Sequence, residues 1–443
     1  MKKLQRRAYS ALLVALCLLF GTGVYVWRFA AHGREWAGFS GNAAVYGNGR
    51  VLTGTITDRN GLMLADVVDG KRVFAEDTAV RTACVHAVGD REGNIGTGAL
   101  RLFAEQLSAY SPVTGLAAGG GTVTLAVDAA LQTEALAALA GRAGAVALMD
   151  YKTGEILCMV SSPAFDPDAG IDETDKRYDG AYLNRCISAA YPPGSVFKLV
   201  TLAAALETVP DLYERRFDCA GSSVVDGNTI KCTAVHGSQT IEQALANSCN
   251  CAFAALALEL GGETLARYAA ELGVSGSLSL NGAATTPGRF DAAADGSAAL
   301  AWSGVGQSTD LVCPLAMLRL SAAVANGGTA VEPTLLADGK AEAHNIMSTD
   351  TAEKLKAMMN YNVVSAYGEW NFPGLKLCAK SGTAEVGDGT SHAWFTGFLD
   401  DAAHPWAFVV LIENGGGGAR NAGPVANAVL QKAITLSNGE TDP

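Results

Sequence analysis

Tyr191-Pro-Pro-Gly-Ser195-Val-Phe-Lys198 is the stretch from which the rest of the chain can be read. Pro192, Pro193 and Gly194 end a loop and open a helix that runs on through apolar residues to about Thr208. Ser195 therefore stands at a helix N-terminus, where unpaired backbone N–H groups and the helix dipole favour developing negative charge. Lys198 follows three residues later on the same face. A serine hydroxyl is a poor nucleophile without a neighbouring base, and a protonated lysine is no base. Val196, Phe197, Leu199 and Val200 surround Lys198 with apolar groups, and burial lowers a lysine pKa by desolvating its charged form. A Ser-Lys pair is chemically sound here. Taken alone, the same motif also describes a helix start with a solvated lysine.

Two further segments carry polar chemistry. Ser248-Cys249-Asn250 falls inside the apolar helical run Ile241–Leu260. Facing Lys198, its hydroxyl and amide would pass protons and hold a substrate amide; otherwise they are two polar residues bonded locally. Lys380-Ser381-Gly382-Thr383-Ala384-Glu385 follows the apolar strand Leu375–Ala379. On an edge strand a glycine lets a substrate backbone approach closely. Lys380 can bind a carboxylate, and a second cation near Lys198 depresses its pKa further. The bland alternative is a strand ending in a turn.

The surrounding pattern predicts an α+β domain. Val123–Val127 reads as a strand, and Asp128 as the N-cap of a helix Ala129–Leu139. Ala145–Met149 and Ile156–Ser161 bracket Asp150-Tyr-Lys-Thr-Gly154 as a hairpin. Helices are expected at Val196–Thr208, Ile241–Leu260, Ala316–Asn326 and Thr351–Val363. Strands return at Leu375–Lys380, Ala393–Leu399 and Trp406–Glu413. Strands at both ends of a helical middle predict that the domain's termini pair in one antiparallel sheet. Upstream, residues 29–122 alternate short β-like pieces with turns, as in Val51–Thr57, Asp58-Arg-Asn-Gly61 and Leu62–Ala65. Tyr110–Thr122 is Gly-rich and reads as a linker.

Residues 1–7 carry Lys2, Lys3, Arg6 and Arg7 and no acid, and Ala8–Trp27 carries no charge. A helix of that length spans about 30 Å, the thickness of a bilayer's hydrocarbon core. The positive flank predicts a cytoplasmic tail over 1–7, an anchor over 8–28 and the bulk of the chain on the extracytoplasmic face. The alternative, a cleaved signal peptide, has an apolar core of about 7–15 residues, and Arg28-Phe29-Ala30-Ala31 places bulky Phe29 where a small residue is wanted.

Hydrophobic residues make up 49% of the 443, which excludes a disordered chain. The net charge of −12 argues against nucleic acid as a partner and reads as a solvated acidic surface. With six His, no HExxH and no evident Cys/His cluster, no metal is expected. Cys17 lies in the anchor, leaving an odd number of cysteines beyond it. Cys219 and Cys232 flank a polar segment in which Asp226-Gly227-Asn228 reads as a tight turn, so the flanks would run antiparallel. An exported domain permits a disulfide between them, although sequence does not establish connectivity. Cys158, Cys186, Cys313 and Cys378 sit in apolar stretches as small core residues.

In the order Ser-x-x-Lys, Ser-x-Asn, Lys-Ser-Gly, the three segments together resemble the penicillin-binding proteins, serine D,D-transpeptidases that share this constellation with serine β-lactamases. The likeness extends to Ser162-Pro-Ala-Phe-Asp-Pro167, Gly304-Val-Gly-Gln307, Ala322-Ala-Val-Ala-Asn-Gly-Gly328 and His392-Ala-Trp-Phe-Thr-Gly397, which look like the transpeptidase domain of class B members. Gly54-Thr-Ile-Thr-Asp-Arg-Asn-Gly61 looks like the start of their N-terminal pedestal. The resemblance covers residues 50 to 435 and implies an antiparallel sheet with helices on both sides over 123–443, after an anchor and a small β-rich pedestal at 29–122.

Carried over, Ser195 would attack the D-Ala-D-Ala carbonyl of a peptidoglycan stem peptide and Lys198 would take its proton. Ser248 and Asn250 would relay protons and position the donor. Lys380 and Thr383, with Ser381 and Gly382 between them, would grip the terminal carboxylate or the equivalent acid of a β-lactam. The backbone N–H groups of Ser195 and Thr383 would form the oxyanion hole. The amine of a neighbouring stem peptide on nascent, lipid-linked glycan would then resolve the acyl-enzyme, with no cofactor. The resemblance also implies a partner, a membrane glycan polymerase of the shape, elongation, division and sporulation (SEDS) family, against the anchor and pedestal.

Some residues depart from the family pattern. Ser381 stands where Thr is common, Cys313 where Thr is usual, Asp168 where Asn is typical, and Cys249 sits inside the second motif. The 29–122 segment is too short for the glycosyltransferase domain of class A members. A β-lactamase, a D,D-carboxypeptidase and a non-catalytic scaffold or β-lactam sensor are the competing readings. The anchor and pedestal, and the lack of a recognisable deacylating Glu loop, speak against the first. Intact Ser195, Lys198, Asn250 and Lys380 speak against the last.

Overall fold

Asp58 organises the start of the small sheet. Its carboxylate accepts the N–H groups of Asn60 (2.9 Å) and Leu62 (2.8 Å), and the chain turns back on itself. In the computed structural model, which describes residues 2–37, 46–47, 50–111, 114–115, 119–387 and 389–439, this turn joins β1 (Thr55–Thr57) to β2 (Met63–Val68). With β3 (Lys71–Phe74) and β4 (Thr122–Thr124) they form a sheet of order β3-β2-β1-β4.

The expected strand at Val123 is present but ends at Thr124, and it pairs in parallel with β1 rather than opening the second domain. The carbonyls of Gly119 and Gly121 accept from Gly54 and Thr55, so this end of the Gly-rich stretch belongs to the same sheet. Residues 112–113 and 116–118 of that stretch, and 38–45 of the segment before it, lie outside the described residues. A parallel pairing across some 65 intervening residues leaves no local mark in sequence.

Asp128 caps the helix Ala129–Leu139 as expected, accepting from Ala130 and Leu131 N–H. The main sheet is built from β5 (Gly144–Asp150), β6 (Ile156–Ser162), β7 (Leu377–Val386), β8 (Thr390–Leu399) and β9 (Trp406–Ile412). Its order is β7-β8-β9-β5-β6, antiparallel throughout, with β5 against β9 so that distant parts of the chain meet at its centre.

Side chains alternate between two cores, the period of a strand covered on both faces. Ala145, Ala147, Met149, Trp394, Val409 and Leu411 point to one side, toward the helices Lys198–Thr208, Asn250–Leu260 and Pro314–Ala325. Val146, Leu148, Phe395, Phe408 and Val410 point to the other, toward Ala129–Leu139 and Gly423–Ser437. The first core runs on into the small sheet through Ile56, Leu64, Phe74 and Val123. At the surface, Arg81 makes two 2.7 Å bonds to Asp166, and Arg91 pairs with Asp168. Asp168, unaccounted for in the sequence, is thus one of two acids that meet arginines of the N-terminal segment.

Lys2–Ala37 is a single helix. Its Lys2–Gly33 portion contains an apolar window unburied by the rest of the protein and is long and apolar enough to cross a membrane.

Candidate active site

Gly194–Phe197 forms a tight 3-10 turn that leads into Lys198–Thr208. Gly194 donates to the carbonyl of Gly306 (2.8 Å), whose φ is +81°. A Cβ at Gly306 would come within 2.0 Å of the Gly194 oxygen, so only glycine lets Gly304–Gln307 lie against the serine turn. Trp394 Nε1 donates to Pro192 O (3.0 Å), while the Tyr191 hydroxyl and Arg185 Nε both donate to Glu413 Oε1 (2.8 and 2.7 Å). The loop before Ser195 is thereby fixed from three directions.

Lys198 is fully buried. Its Nζ lies 3.1 Å from Ser195 Oγ, 2.6 Å from Ser248 O, 3.2 Å from Ser248 Oγ and 2.8 Å from Asn250 Oδ1. Desolvation lowers its pKa to about 7, against a smaller opposing pull from the thiols of Cys232, Cys249 and Cys251. At neutral pH a large fraction of this amine is unprotonated and within reach of a serine proton, which is what a general base requires.

The helix expected across Ile241–Leu260 is broken. Ile241–Ala246 ends, Ser248 takes a left-handed φ of +50°, and Asn250–Leu260 begins anew. The break turns the Ser248 carbonyl out of the helical ladder and toward Lys198, at a backbone cost of about 1–2 kcal/mol for a non-glycine residue. Asn250 is held by its amide, which donates to Lys231 O (2.8 Å).

Lys380–Glu385 is not a turn after a strand; all six residues lie within β7, on the edge of the main sheet. Lys380 is fully buried, and its Nζ reaches Ser248 Oγ (3.1 Å) and Ser381 O (2.7 Å). Desolvation, then repulsion from Lys198, hold its pKa well below the ordinary value. It stands behind Ser248, whereas Ser381 and Thr383 reach the open cleft. The space a Cβ would take at Gly382 is filled by Pro193 O (2.9 Å) and Val196 Cγ1 (3.0 Å). On that side the close approach expected of a substrate is made by the serine loop itself.

A cleft of about 730 Å³ opens beside these groups, lined by Ser195, Ser248, Asn250, Ser381 and Thr383, within the range usual for small-ligand sites. Sequence reasoning missed several contributors. Trp302, Lys231 and Glu385 also line the cleft, and Tyr367 accepts from both the N–H (2.9 Å) and the hydroxyl (3.1 Å) of Ser381. Gln307 lines the cleft too, from the end of Gly304–Gln307, but nothing local in the sequence marks Tyr367 or Lys231.

The expected Cys219–Cys232 disulfide is not formed; both are free thiols. Asp226-Gly227 does make the expected turn, between Ser222–Val225 and Asn228–Lys231. Beyond that hairpin the chain diverges, and Phe217–Cys219 pairs instead with Gly237–Gln239. The two sulfurs each lie 3.5 Å from His236 Nδ1, and Cys232 Sγ lies 3.8 Å from Cys249 Sγ. A Cys/His cluster is therefore present where none was expected. Its one local trace is Cys232-Thr-Ala-Val-His236.

Residues 144–433 match the family described as the penicillin binding protein transpeptidase domain. The chain belongs to that family. Peptidoglycan D,D-transpeptidase PbpA of Mycobacterium tuberculosis is 29% identical over 382 residues, covering 75% of this chain and 76% of the relative. Penicillin-binding protein A from M. tuberculosis, solved as a ceftriaxone acyl-enzyme complex, superposes with a TM-score of 0.75 at 26% identity, over 86% of this chain and 98% of that one. The D,D-transpeptidase domain of a peptidoglycan glycosyltransferase from Eggerthella lenta gives 0.74 at 26% identity, over 87% and 98%. The α+β fold of this penicillin-binding protein is the fold of those neighbours, and the chain is a class B member and a serine-type D,D-transpeptidase.

Proposed function

We propose that this enzyme cross-links peptidoglycan through an acyl-enzyme on Ser195. Lys198 Nζ takes the hydroxyl proton as Oγ attacks the penultimate D-Ala carbonyl of a stem peptide. The negative charge on oxygen is met by the N–H groups of Ser195 and Thr383, and the C–N bond breaks as the proton passes, through Ser248, to the leaving D-Ala. Ser381 and Thr383 hold the substrate carboxylate, with Lys380 acting from behind Ser248. The amine of a second stem peptide then attacks the ester, losing a proton to Lys198, which returns it to Ser195 Oγ as the ester C–O bond breaks. A β-lactam enters by the same first step and remains attached.

The observation that carries this reading is the buried amine of Lys198, its pKa about 7, 3.1 Å from Ser195 Oγ. The test is a fluorescent penicillin incubated with the full chain in detergent, run on a denaturing gel beside Ser195→Ala. A stable band lost in the variant supports it. Antibiotic consumed without a band would make the enzyme a β-lactamase, and intact antibiotic with no band would make it a scaffold.

The proposal extends to topology and partner. Residues 1–7 lie in the cytoplasm, 8–28 cross the membrane, and the pedestal, which ends with the strand Thr122–Thr124, and the transpeptidase domain after it lie outside, the basic tail of Lys2, Lys3, Arg6 and Arg7 setting the direction. The anchor and pedestal dock on a SEDS-family glycan polymerase. Deleting residues 1–122 is expected to abolish co-purification with it; unchanged co-purification overturns the pairing.

A further inference from the structure

Four side chains beside the cleft have no part in the chemistry just described. Cys219 and Cys249 are buried, Cys232 and His236 half-buried, and their three sulfurs and one imidazole nitrogen all lie within 4.8 Å of one another. They come from three separate pieces of chain: the strand Phe217–Cys219, the segment after the hairpin, and the break between the helices Ile241–Ala246 and Asn250–Leu260.

The distances discriminate between bonding arrangements. A disulfide requires sulfurs about 2.05 Å apart; Cys232 and Cys249 are at 3.8 Å. For a tetrahedral ion with metal–sulfur bonds of about 2.3 Å and metal–nitrogen of about 2.0 Å, adjacent sulfurs fall about 3.8 Å apart and sulfur and nitrogen about 3.5 Å. The observed values are 3.8 Å for Cys232 to Cys249 and 3.5 Å from His236 Nδ1 to each of Cys219 and Cys232. The Asn250 N–H also donates to Cys232 Sγ at 3.2 Å. Such donors from the surrounding shell stabilise thiolate ligands and fix their direction.

We infer that Cys219, Cys232, His236 and Cys249 bind one zinc ion. Soft thiolates with one imidazole in a tetrahedral set select zinc over harder cations. Four protein ligands close the coordination sphere, so the site is structural and offers no position for substrate. Its place in the chain gives it a task. Cys249 lies between Ser248 and Asn250, both bonded to Lys198 Nζ. A metal on Cys249 ties the helix break that presents those residues to the hairpin wall of the cleft. The four ligands are thus positioning residues for the second motif.

The test begins with the full chain purified in detergent without chelator. Elemental mass spectrometry is expected to find one zinc per chain, and Cys219→Ser and His236→Ala to lose it. Cobalt exchanged into the site should give the thiolate charge-transfer and strong visible bands of a tetrahedral centre, a readout independent of activity. Cys251→Ser, which alters a neighbouring thiol outside the set, should keep the metal. A metal-free chain with a Cys219–Cys232 disulfide in its peptide map, or zinc kept in both ligand variants, overturns the inference; zinc lost in Cys251→Ser overturns the ligand assignment. A second arm rests on the acylation reading: zinc removal is expected to slow penicillin labelling about 10-fold or more, the scale seen when a metal site's support is lost. Unchanged labelling of metal-free protein would remove the positioning role while leaving the metal site standing.

Discussion

On one side of the cleft Ser195 and Lys198 stand three residues apart on a single helix start; on the other, Ser248 and Asn250 hang from a break in a helix, backed by Lys380 from an edge strand. The first wall is local. Its geometry follows from the Pro-Pro-Gly opening and the pitch of a helix, while the Lys198 amine is enclosed by Ser248, Asn250 and Phe253 from across the cleft. The second wall is assembled from two distant segments, the helix break at Ser248–Asn250 and the edge strand that carries Lys380. Both present a buried lysine to Ser248 Oγ, at 3.2 Å for Lys198 and 3.1 Å for Lys380, yet only Lys198 also reaches Ser195. Substitutions in the first wall should therefore act on bond making, and those in the second on position.

The largest effect tests that division directly. Ser195→Ala is expected to abolish covalent labelling by penicillin with no change in thermal stability. Lys198→Met should slow acylation about 10²–10⁴-fold, the range for loss of a general base. A Lys198 variant that still acylates at near-normal rate would shift the base to the second wall.

Next comes pH. The active form of Lys198 is the neutral amine, and its pKa is lowered to about 7. Acylation rate should therefore be low in acid, rise through about pH 7 and level off above it, with no matching change in binding of an inert analogue. A rise centred near the ordinary lysine value would mean that burial does not tune this amine.

Tyr367 sharpens the comparison from the second wall. Phe in its place leaves the Ser381 N–H and hydroxyl without their shared acceptor, worth about 1 kcal/mol at a half-buried site. The expected loss in acylation is about 5-fold, with the pH profile unmoved. A shifted profile would make Tyr367 part of the proton path.

The same local and non-local division explains what could be read in advance. The helix from Lys198, the cap at Asp128 and the hairpin at Asp150–Gly154 were legible because cap, turn and apolar period lie within a few residues of each other. The break at Ser248 was not, because the run on either side of it is mostly helix-forming and the amine that its carbonyl meets belongs to a lysine fifty residues away. Nor was the pairing of β4 with β1, nor the meeting of Cys219 with His236, since both depend on register between distant strands. The disulfide expectation failed for the same reason: the turn was right, but the chain diverged just beyond it.

The smallest effect concerns the seam between the small sheet and the main one. Arg81 with Asp166, and Arg91 with Asp168, are ion pairs near the surface, where water and salt screen most of the attraction. The Arg81 pair lowers the Asp166 pKa, chiefly through the hydrogen bond from Arg81. A carboxylate whose pKa is lowered on folding adds stability that is present at neutral pH and lost as the pH falls through the folded value. Asp166→Ala should accordingly lower the melting temperature slightly at neutral pH, by less in high salt and by less still in acid, while acylation at Ser195 stays at the parent rate. The continuous apolar core through Ile56, Leu64 and Phe74 is what holds the small sheet in place. If the single charge change instead slowed acylation, the seam would be coupled to the cleft, and the second wall would extend beyond the two segments that build it.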